Sequence, residues 1–250
     1  MEITTIELLG FAMVLTRLSV FFIVAPIFSW QTIPPVIKIT IVLFLTIFFS
    51  VNAPLELNAG KVSLIEAILL LSNEAVYGLA LGLITILMFS VIKLSGSIIE
   101  NEMGFTMAST LDPFTGESGQ PLSRLLEVLF ILLFLSANGH HLLLLVISKS
   151  YQAFPSGHIP DLPVLLDGVL AAGTTMLAAC LRLAAPMLAA FLLLLVVLAV
   201  FARIMPDMDI LFISMPLRAG LGLMMIGIFL PFINQFVGEF ADWMGKLLPL

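Results

Sequence analysis

The chain has 250 residues, of which 61% are hydrophobic and 10% are charged, and its formal net charge is −6. A soluble domain carries about 25% charged residues, so ten basic and sixteen acidic side chains cannot cover a water-soluble globule of this size. The acidic balance argues against nucleic-acid binding, which needs a basic surface. The chain must therefore bury its exterior in lipid, in partner subunits or in both.

The N-terminus is not expected to be a cleavable signal peptide, because Glu2 and Glu7 stand where such a peptide needs positive charge. Six apolar stretches then approach the roughly 20 residues that a helix needs to cross a bilayer. They run near residues 8–28, 36–53, 63–95, 125–149, 169–203 and 210–237. This pattern predicts an all-α protein of the integral membrane type.

Three of these stretches fit a simple six-span bundle poorly. The third and fifth are too long for one perpendicular crossing, and Arg182 with Pro186 is expected to interrupt the fifth. The fourth contains Asn138, Gly139 and His140, and Asn-Gly is a strong turn signal. We expect a tight hairpin or a broken helix there, which requires surrounding protein or a water-filled cavity at membrane depth.

Two polar stretches separate the apolar ones. Residues 98–123 hold four acids and no base, together with several glycines and prolines, and loops this long are usually functional or disordered. Residues 151–168 contain three prolines and are interpreted as a surface loop. We predict a division into an N-terminal helical part, 1–124, which ends in the acidic loop, and a C-terminal part, 125–250.

Five charged residues interrupt apolar runs, and an ionised group at the bilayer centre costs about 3 kcal/mol or more. Two interpretations are open: a proton or ion path, and pairing with each other, with partner subunits or with the membrane interface. Pairing is favoured because no ladder of acids and bases repeats along one helix face. The five residues are Arg17, Glu66, Glu74, Arg182 and Arg218.

No catalytic or cofactor site is expected. His140 and His141 diverge by about 100° on a helix and lack the i, i+4 spacing with which two histidines grip a metal. Residues 116–119 resemble the Gly-x-Ser-Gly motif of intramembrane proteases. The catalytic base of such a protease would lie in the last two helices, but no histidine occurs after His158. A nucleotide-binding loop is missing, and Cys180, in an apolar run, is expected to be a packed side chain. The sequence therefore favours a non-enzyme that binds no metal or cofactor.

Small and flexible side chains suggest close helix packing and a deformable surface. Gly78 and Gly82 form a Gly-x-x-x-Gly motif that would let another helix approach closely. Thirteen methionines are present, and their unbranched thioethers fill irregular gaps. Several methionines border polar stretches, and two interpretations are open for them: they fill the core, or they form a deformable surface that closes around a passage. These residues are Met103, Met107, Met205, Met208 and Met215.

Four motifs spread over residues 17–217 carry a family resemblance. They are Arg17…Ala25-Pro26-Ile27-Phe28 with Ile33-Pro34; Met103-Gly104-Phe105 with Asp112-Pro113; Phe134-Leu135 with Asn138-Gly139-His140; and Arg203-Ile204-Met205-Pro206 with Met215-Pro216-Leu217. In this order and spacing, the chain resembles the FliR family of flagellar export-gate subunits and, more distantly, its counterparts in virulence type III secretion.

The resemblance implies a protein conduit in the bacterial inner membrane, at the flagellar basal body. It implies helical hairpins assembled with FliP and FliQ subunits into a spiral hetero-oligomer, with FlhB near the cytoplasmic mouth. The N-terminal part would then be FliP-like and the C-terminal part FliQ-like. Unfolded flagellar proteins would pass through the channel transiently.

The resemblance also implies that the acidic loop, about residues 104–121, plugs the closed pore. Glycines would permit tight folding, Phe105 and Met107 would fill the lumen, Pro113 would stiffen the tip, and Asp112 would accept hydrogen bonds. The predicted plug residues are Gly104, Phe105, Met107, Asp112, Pro113, Gly116 and Gly119.

Two alternatives stay open at this point. A virulence type III secretion subunit would share the same motifs. A self-sufficient secondary transporter would use broken helices to frame a site at mid-membrane. Purification of the chain distinguishes these functions. A transporter should be stable alone or as a homo-oligomer, whereas a gate subunit should depend on heterologous partners.

Overall fold

A computed structural model describes residues 2–26, 34–52, 63–104, 120–157, 162–205 and 210–247. Nearly all of these residues lie in helices, and none of them lies in a strand, which confirms the all-α prediction. The helices are α1 (Glu2–Val24), α2 (Pro35–Asn52), α3 (Leu64–Met103), α4 (Pro121–Ser136), α5 (Gly139–Ala153), α6 (Leu162–Ile204) and α7 (Ile210–Leu247).

The two longest apolar stretches form single long helices. α3 has 40 residues and α6 has 43, so at about 1.5 Å per residue each extends about 60 Å, twice the hydrocarbon thickness of a bilayer. The predicted interruption at Arg182 and Pro186 is wrong, because α6 continues through Pro186. A proline removes one backbone hydrogen bond, and the many intact bonds on either side hold this apolar helix together.

The fourth stretch is divided into α4 and α5. α4 ends at Ser136 and α5 begins at Gly139. Between them Asn138 has φ 59°, in the left-handed region, where asparagine is one of the few residues that fits with little strain. The acidic stretch is also shorter than predicted, because α3 runs on to Met103.

Among the described residues, three helices are long and apolar enough to cross a membrane, within α1, α3 and α6, and a fourth span results if α4 and α5 count as one broken crossing. Burial differs strongly between α3 and α6. In an apolar window of 18 residues, 61% of the residues of α3 are buried within the chain, whereas in the corresponding window of α6 the figure is 22%. The surface of α6 is therefore apolar and largely uncovered by the rest of this chain.

The chain divides into two compact units. Unit 1 comprises Met1–Phe89, Asn138–Thr174 and Phe240–Leu250. Within it, α1 packs on α2, and the core holds Met13, Phe21, Tyr77 and Tyr151, each at most 2% exposed. Unit 2 comprises Ser90–Ala137 and Thr175–Glu239. Its core includes Phe130, whose ring centroid lies 5.7 Å from that of Phe236.

Candidate functional site: buried charges and the borders of the acidic loop

Arg17 and Glu74 form an ion pair in the core of unit 1. The Arg17 Nε donates to Glu74 Oε2 at 2.7 Å, and the two side chains are 1% and 0% exposed. A buried charge without a partner would be strongly destabilising, and these residues come from α1 and α3, 57 positions apart in sequence. Of the two interpretations of the buried charges, pairing with each other is therefore the one that applies to Arg17 and Glu74.

The remaining donors of the Arg17 guanidinium bind the end of α5. Nη1 donates to the Ser150 carbonyl at 3.3 Å, and Nη2 donates to the Phe154 carbonyl at 3.0 Å. The Ser150 carbonyl also accepts from the Phe154 N–H at 2.9 Å, and the C-terminal end of a helix carries negative partial charge. Arg17 thus satisfies the C-terminal end of α5 with both hydrogen bonds and charge.

Aromatic rings and a backbone amide complete this cluster. The Arg17 Cζ lies 4.8 Å from the ring centroid of Tyr77 and 4.2 Å from that of Tyr151, within the range of a cation–π contact. The other oxygen of Glu74 accepts from the Gly157 N–H at 3.2 Å. The cluster therefore joins α1, α3 and the turn after α5 into one rigid group.

The Gly-x-x-x-Gly motif lies on the face of α3 that meets α1. A Cβ added to Gly78 would lie 2.5 Å from the Arg17 carbonyl oxygen, and one added to Gly82 would lie 2.7 Å from Val24 Cβ. The absence of side chains lets the α1 backbone approach α3 closely. This approach brings Arg17 within reach of Glu74, one turn before Gly78.

The other charges of the apolar runs are at helix termini or on the surface. Glu66 and Ser63 form a capping box at the start of α3: the Ser63 N–H donates to Glu66 Oε2 at 2.8 Å, and the Glu66 N–H donates to Ser63 Oγ at 3.3 Å. Arg182 lies 3.4 Å from Glu239 on an exposed surface of unit 2. Arg218 is half-buried on α7.

Of the predicted plug residues, Gly104 is the one that lies within the described residues. It follows the last residue of α3 with φ 81°, a conformation that favours glycine, so the chain turns sharply there. Outside the described residues lie Phe105, Met107, Asp112, Pro113, Gly116 and Gly119. The motif at 116–119 lies outside them as well.

Glu100, on the last turns of α3, binds the first turn of α4 within unit 2. Its side chain is fully buried, and its carboxylate accepts from the Leu122 N–H at 3.4 Å and from the Ser123 N–H at 3.1 Å. Gln120 provides no side-chain cap for α4, and Pro121 occupies the first turn. Glu100 therefore caps α4 from another helix and complements its positive end.

Close packing surrounds this cap on both sides of the acidic loop. Ser123 Oγ donates to the Lys93 carbonyl at 2.8 Å, and a Cβ added to Gly96 would lie 3.0 Å from Ser123 Cα. The Met103 side chain occupies the space above Gly222 on α7, where an added Cβ would lie 2.5 Å from it. The residues that border the loop are thus fixed by polar and apolar contacts.

The residues predicted at the helix break occupy the junction of α4 and α5. Asn138 precedes α5, Gly139 is its first residue and is buried, and His140 has a buried Nδ1 with no hydrogen-bond partner among the described residues. The ring centroids of His140 and His141 lie 4.2 Å apart. Within the described part of the chain, no group of three His, Cys, Asp or Glu side chains is placed to hold a metal ion.

Sequence reasoning missed two of these features. Ser63-x-x-Glu66 before an apolar run is the pattern of a capping box, and this signal could have assigned Glu66. Glu100 was grouped with the acids of the loop, and no local pattern relates it to Ser123, 23 residues later. As expected, Cys180 is buried.

The chain matches the family model of bacterial export proteins, family 1, over residues 8–243. It is 29% identical to the flagellar biosynthetic protein FliR of Bacillus subtilis (strain 168), over 87% of this chain and 84% of that protein. It is 28% identical to FliR of Escherichia coli (strain K12), over 85% and 80%. It is also 26% identical to the surface presentation of antigens protein SpaR of Shigella flexneri, over 89% and 88%.

Proposed function

Because this chain belongs to the bacterial export proteins of family 1, we propose that it is a subunit of a flagellar type III protein export gate. The similarity to FliR proteins over most of both chains carries this proposal. Its partners in the complex are FliP and FliQ subunits, with FlhB alongside. The complex is located in the inner membrane at the flagellar basal body and conducts unfolded flagellar proteins.

The proposed architecture is a spiral of helical hairpins in which this chain contributes a FliP-like part, 1–124, and a FliQ-like part, 125–250. The proposed division at residue 124 follows the resemblance, whereas the two compact units are groups of packed residues, and each unit draws on residues from both parts. The exposed apolar surface of α6 supports an assembled state. With 22% of the residues in its 18-residue apolar window buried inside the chain, α6 needs lipid or partner helices around it.

The acidic loop, about residues 104–121, is proposed to plug the closed channel, with Phe105 and Met107 filling the lumen. Support comes from its borders: the sharp turn at Gly104 and the cap that Glu100 provides for α4. An unfolded substrate displaces the loop and passes through, while methionine and phenylalanine side chains close around it against ion leakage. The role is passive and non-enzymatic, and export energy comes from other components.

The break at Asn138, Gly139 and His140 is proposed to let the fourth apolar stretch change direction within the assembly. The left-handed Asn138 and the separate helices α4 and α5 support this role. Such non-helical backbone is tolerated at membrane depth where protein surrounds it, which agrees with a chain enclosed by partner subunits.

Ion conductance of the assembled complex tests the plug. Deletion of Gly104–Gly119 should raise the ion leak of the complex reconstituted into planar bilayers, because the closed lumen loses its filling. The intact complex and a variant with a substitution in the exposed Arg182 serve as controls for assembly. An unchanged conductance in the deleted complex contradicts the plug.

A virulence type III secretion subunit is the second candidate, favoured by the similarity to SpaR over most of both chains. Complementation separates the two systems. Expression of this chain should restore motility to a flagellated host whose own FliR is deleted, in the presence of its cognate FliP and FliQ. Restored effector secretion in an injectisome mutant, without restored motility, would favour the second candidate.

A further inference from the structure

Glu100 has a role that the family resemblance does not supply. Its carboxylate is fully buried in unit 2 and accepts the N–H groups of Leu122 and Ser123. Pro121 has no N–H, so these two amides are the first donors that α4 presents. A helix usually caps itself with a side chain at its own N-cap, whereas here the cap comes from the helix on the other side of the acidic loop.

This arrangement links the two borders of the loop, because one carboxylate on α3 binds both backbone donors at the start of α4. If the start of α4 moves away from α3, a buried carboxylate and two backbone donors lose their partners together, and each unsatisfied group is destabilising. The bonds are charge-assisted and lie in a low-dielectric interior, where such interactions are strongest. Separating the two borders therefore costs several hydrogen bonds at once.

Two neighbouring contacts fix the same position. The Ser123 hydroxyl donates to the Lys93 carbonyl at 2.8 Å, and Gly96 leaves room for Ser123 to lie against α3. On the other border, Met103 is seated against Gly222 of α7. Gly96 and Gly222 lie where the contacts are closest, and a larger side chain at either position would displace Ser123 or Met103.

We propose that Glu100 is a positioning residue of the export gate, which acts as a clasp that holds the two borders of the plug loop together in the closed state. This inference rests on the proposed plug function. With the clasp engaged, the loop leaves and re-enters the helical framework at two fixed points. Loss of the clasp lets the start of α4 separate from α3, so the loop no longer returns to one closed position.

The test compares Glu100→Ala with Glu102→Ala in the complete chain, assembled with its partner subunits. Glu102 is a half-buried acid on the same turn of α3 and makes a matched control. Hydrogen exchange of the peptide that contains Leu122 and Ser123 should accelerate about tenfold or more in Glu100→Ala, because two charge-assisted bonds are lost. Exchange in Glu102→Ala should match that of the unmodified complex.

The same complexes are then compared by ion conductance, with the Gly104–Gly119 deletion as reference. Glu100→Ala should leak more than Glu102→Ala, and Glu100→Ala combined with the deletion should leak no more than the deletion alone, since both act through the loop. Should Glu100→Ala fail to assemble, Glu100→Gln, which keeps the size of the side chain but replaces one of its two accepting oxygens with a donating NH2 group, is expected to show a smaller increase in exchange and leak.

The outcomes separate the clasp from the plug. Unchanged exchange in Glu100→Ala, or faster exchange with no added leak in a complex whose loop deletion does leak, overturns the clasp and leaves the plug in place. If Glu100→Gln is used instead and neither exchange nor leak changes, the clasp is likewise overturned. A loop deletion that does not leak overturns the plug itself and, with it, the function assigned to Glu100.

Discussion

Among single residues, the buried charges Arg17 and Glu74 are stabilised by several hydrogen bonds each. Arg17 distributes its donors over Glu74 and two carbonyls at the end of α5. Glu74 in turn accepts from Gly157. Because the partners come from three helices, a change at one of them affects the junction as a whole.

Glu74→Gln is expected to destabilise the chain by about 3–5 kcal/mol, since it leaves the buried Arg17 charge without its counter-ion. The expected result is a large loss of assembled complex and a lower dissociation temperature in detergent. Arg182→Gln is the matched control, because its pair with Glu239 is exposed and exposed pairs contribute about 0–1 kcal/mol. Equal stability of the two variants would contradict the structural role of the buried pair.

Gly78→Ala should also be destabilising, by about 1–3 kcal/mol. The added methyl group would lie 2.5 Å from the Arg17 carbonyl oxygen, which is backbone and cannot swing away. Thermal dissociation of the complex measures the effect. In the control Gly173→Ala, the new Cβ meets no heavy atom within 4 Å, and replacing glycine in a helix should be neutral or stabilising by up to about 1 kcal/mol. A Gly78→Ala variant as stable as this control would show that α1 and α3 are not closely packed at this point.

At the scale of elements, the apolar runs predict the helices well because about 20 successive apolar residues have few alternatives to a helix. Contacts between elements could not be predicted in the same way. Arg17 and Glu74 are 57 residues apart, and Glu100 and Ser123 are 23 apart, so only the packed structure brings each pair together. The sequence marks Arg17 and Glu74 as charges that need partners, but it does not say which partners they take.

Within single helices, too, the sequence predicts some features and not others, as Pro186 and Asn138 show. Pro186 is tolerated inside α6, although a proline in an apolar run is a common signal for a helix end. Asn138, by contrast, stands at a true break with positive φ. The Asn-Gly pair identified the break because its backbone preference is local, whereas the fate of a proline depends on the packing around it.

Asn138→Ala should destabilise the junction of α4 and α5 by roughly 1–2 kcal/mol, the cost of placing an ordinary side chain in the left-handed region. Asn138→Gly should be tolerated, because glycine adopts positive φ freely. The dissociation temperature of the complex distinguishes the two variants. If alanine and glycine were equally stable at this position, the left-handed turn would not be a feature of the assembled protein.

At the scale of the whole molecule, the surface indicates what must surround the chain. Leu192 and Leu193 on α6 are 63% and 66% exposed, and Phe212 on α7 is 78% exposed. Apolar surface of this kind is normally covered by lipid or by another protein. The lengths of α3 and α6, about twice a bilayer crossing, favour partner helices over lipid along part of each.

The dependence of this chain on partner subunits can be tested by measuring the mass of the intact complex. The chain, affinity-tagged and expressed with the complete export-gate operon of a flagellated host, is purified in mild detergent and weighed by native mass spectrometry. We expect one hetero-oligomer that contains this chain with FliP and FliQ subunits, and little stable protein when the chain is expressed alone. A stable, well-folded monomer or homo-oligomer that binds neither subunit would contradict the account.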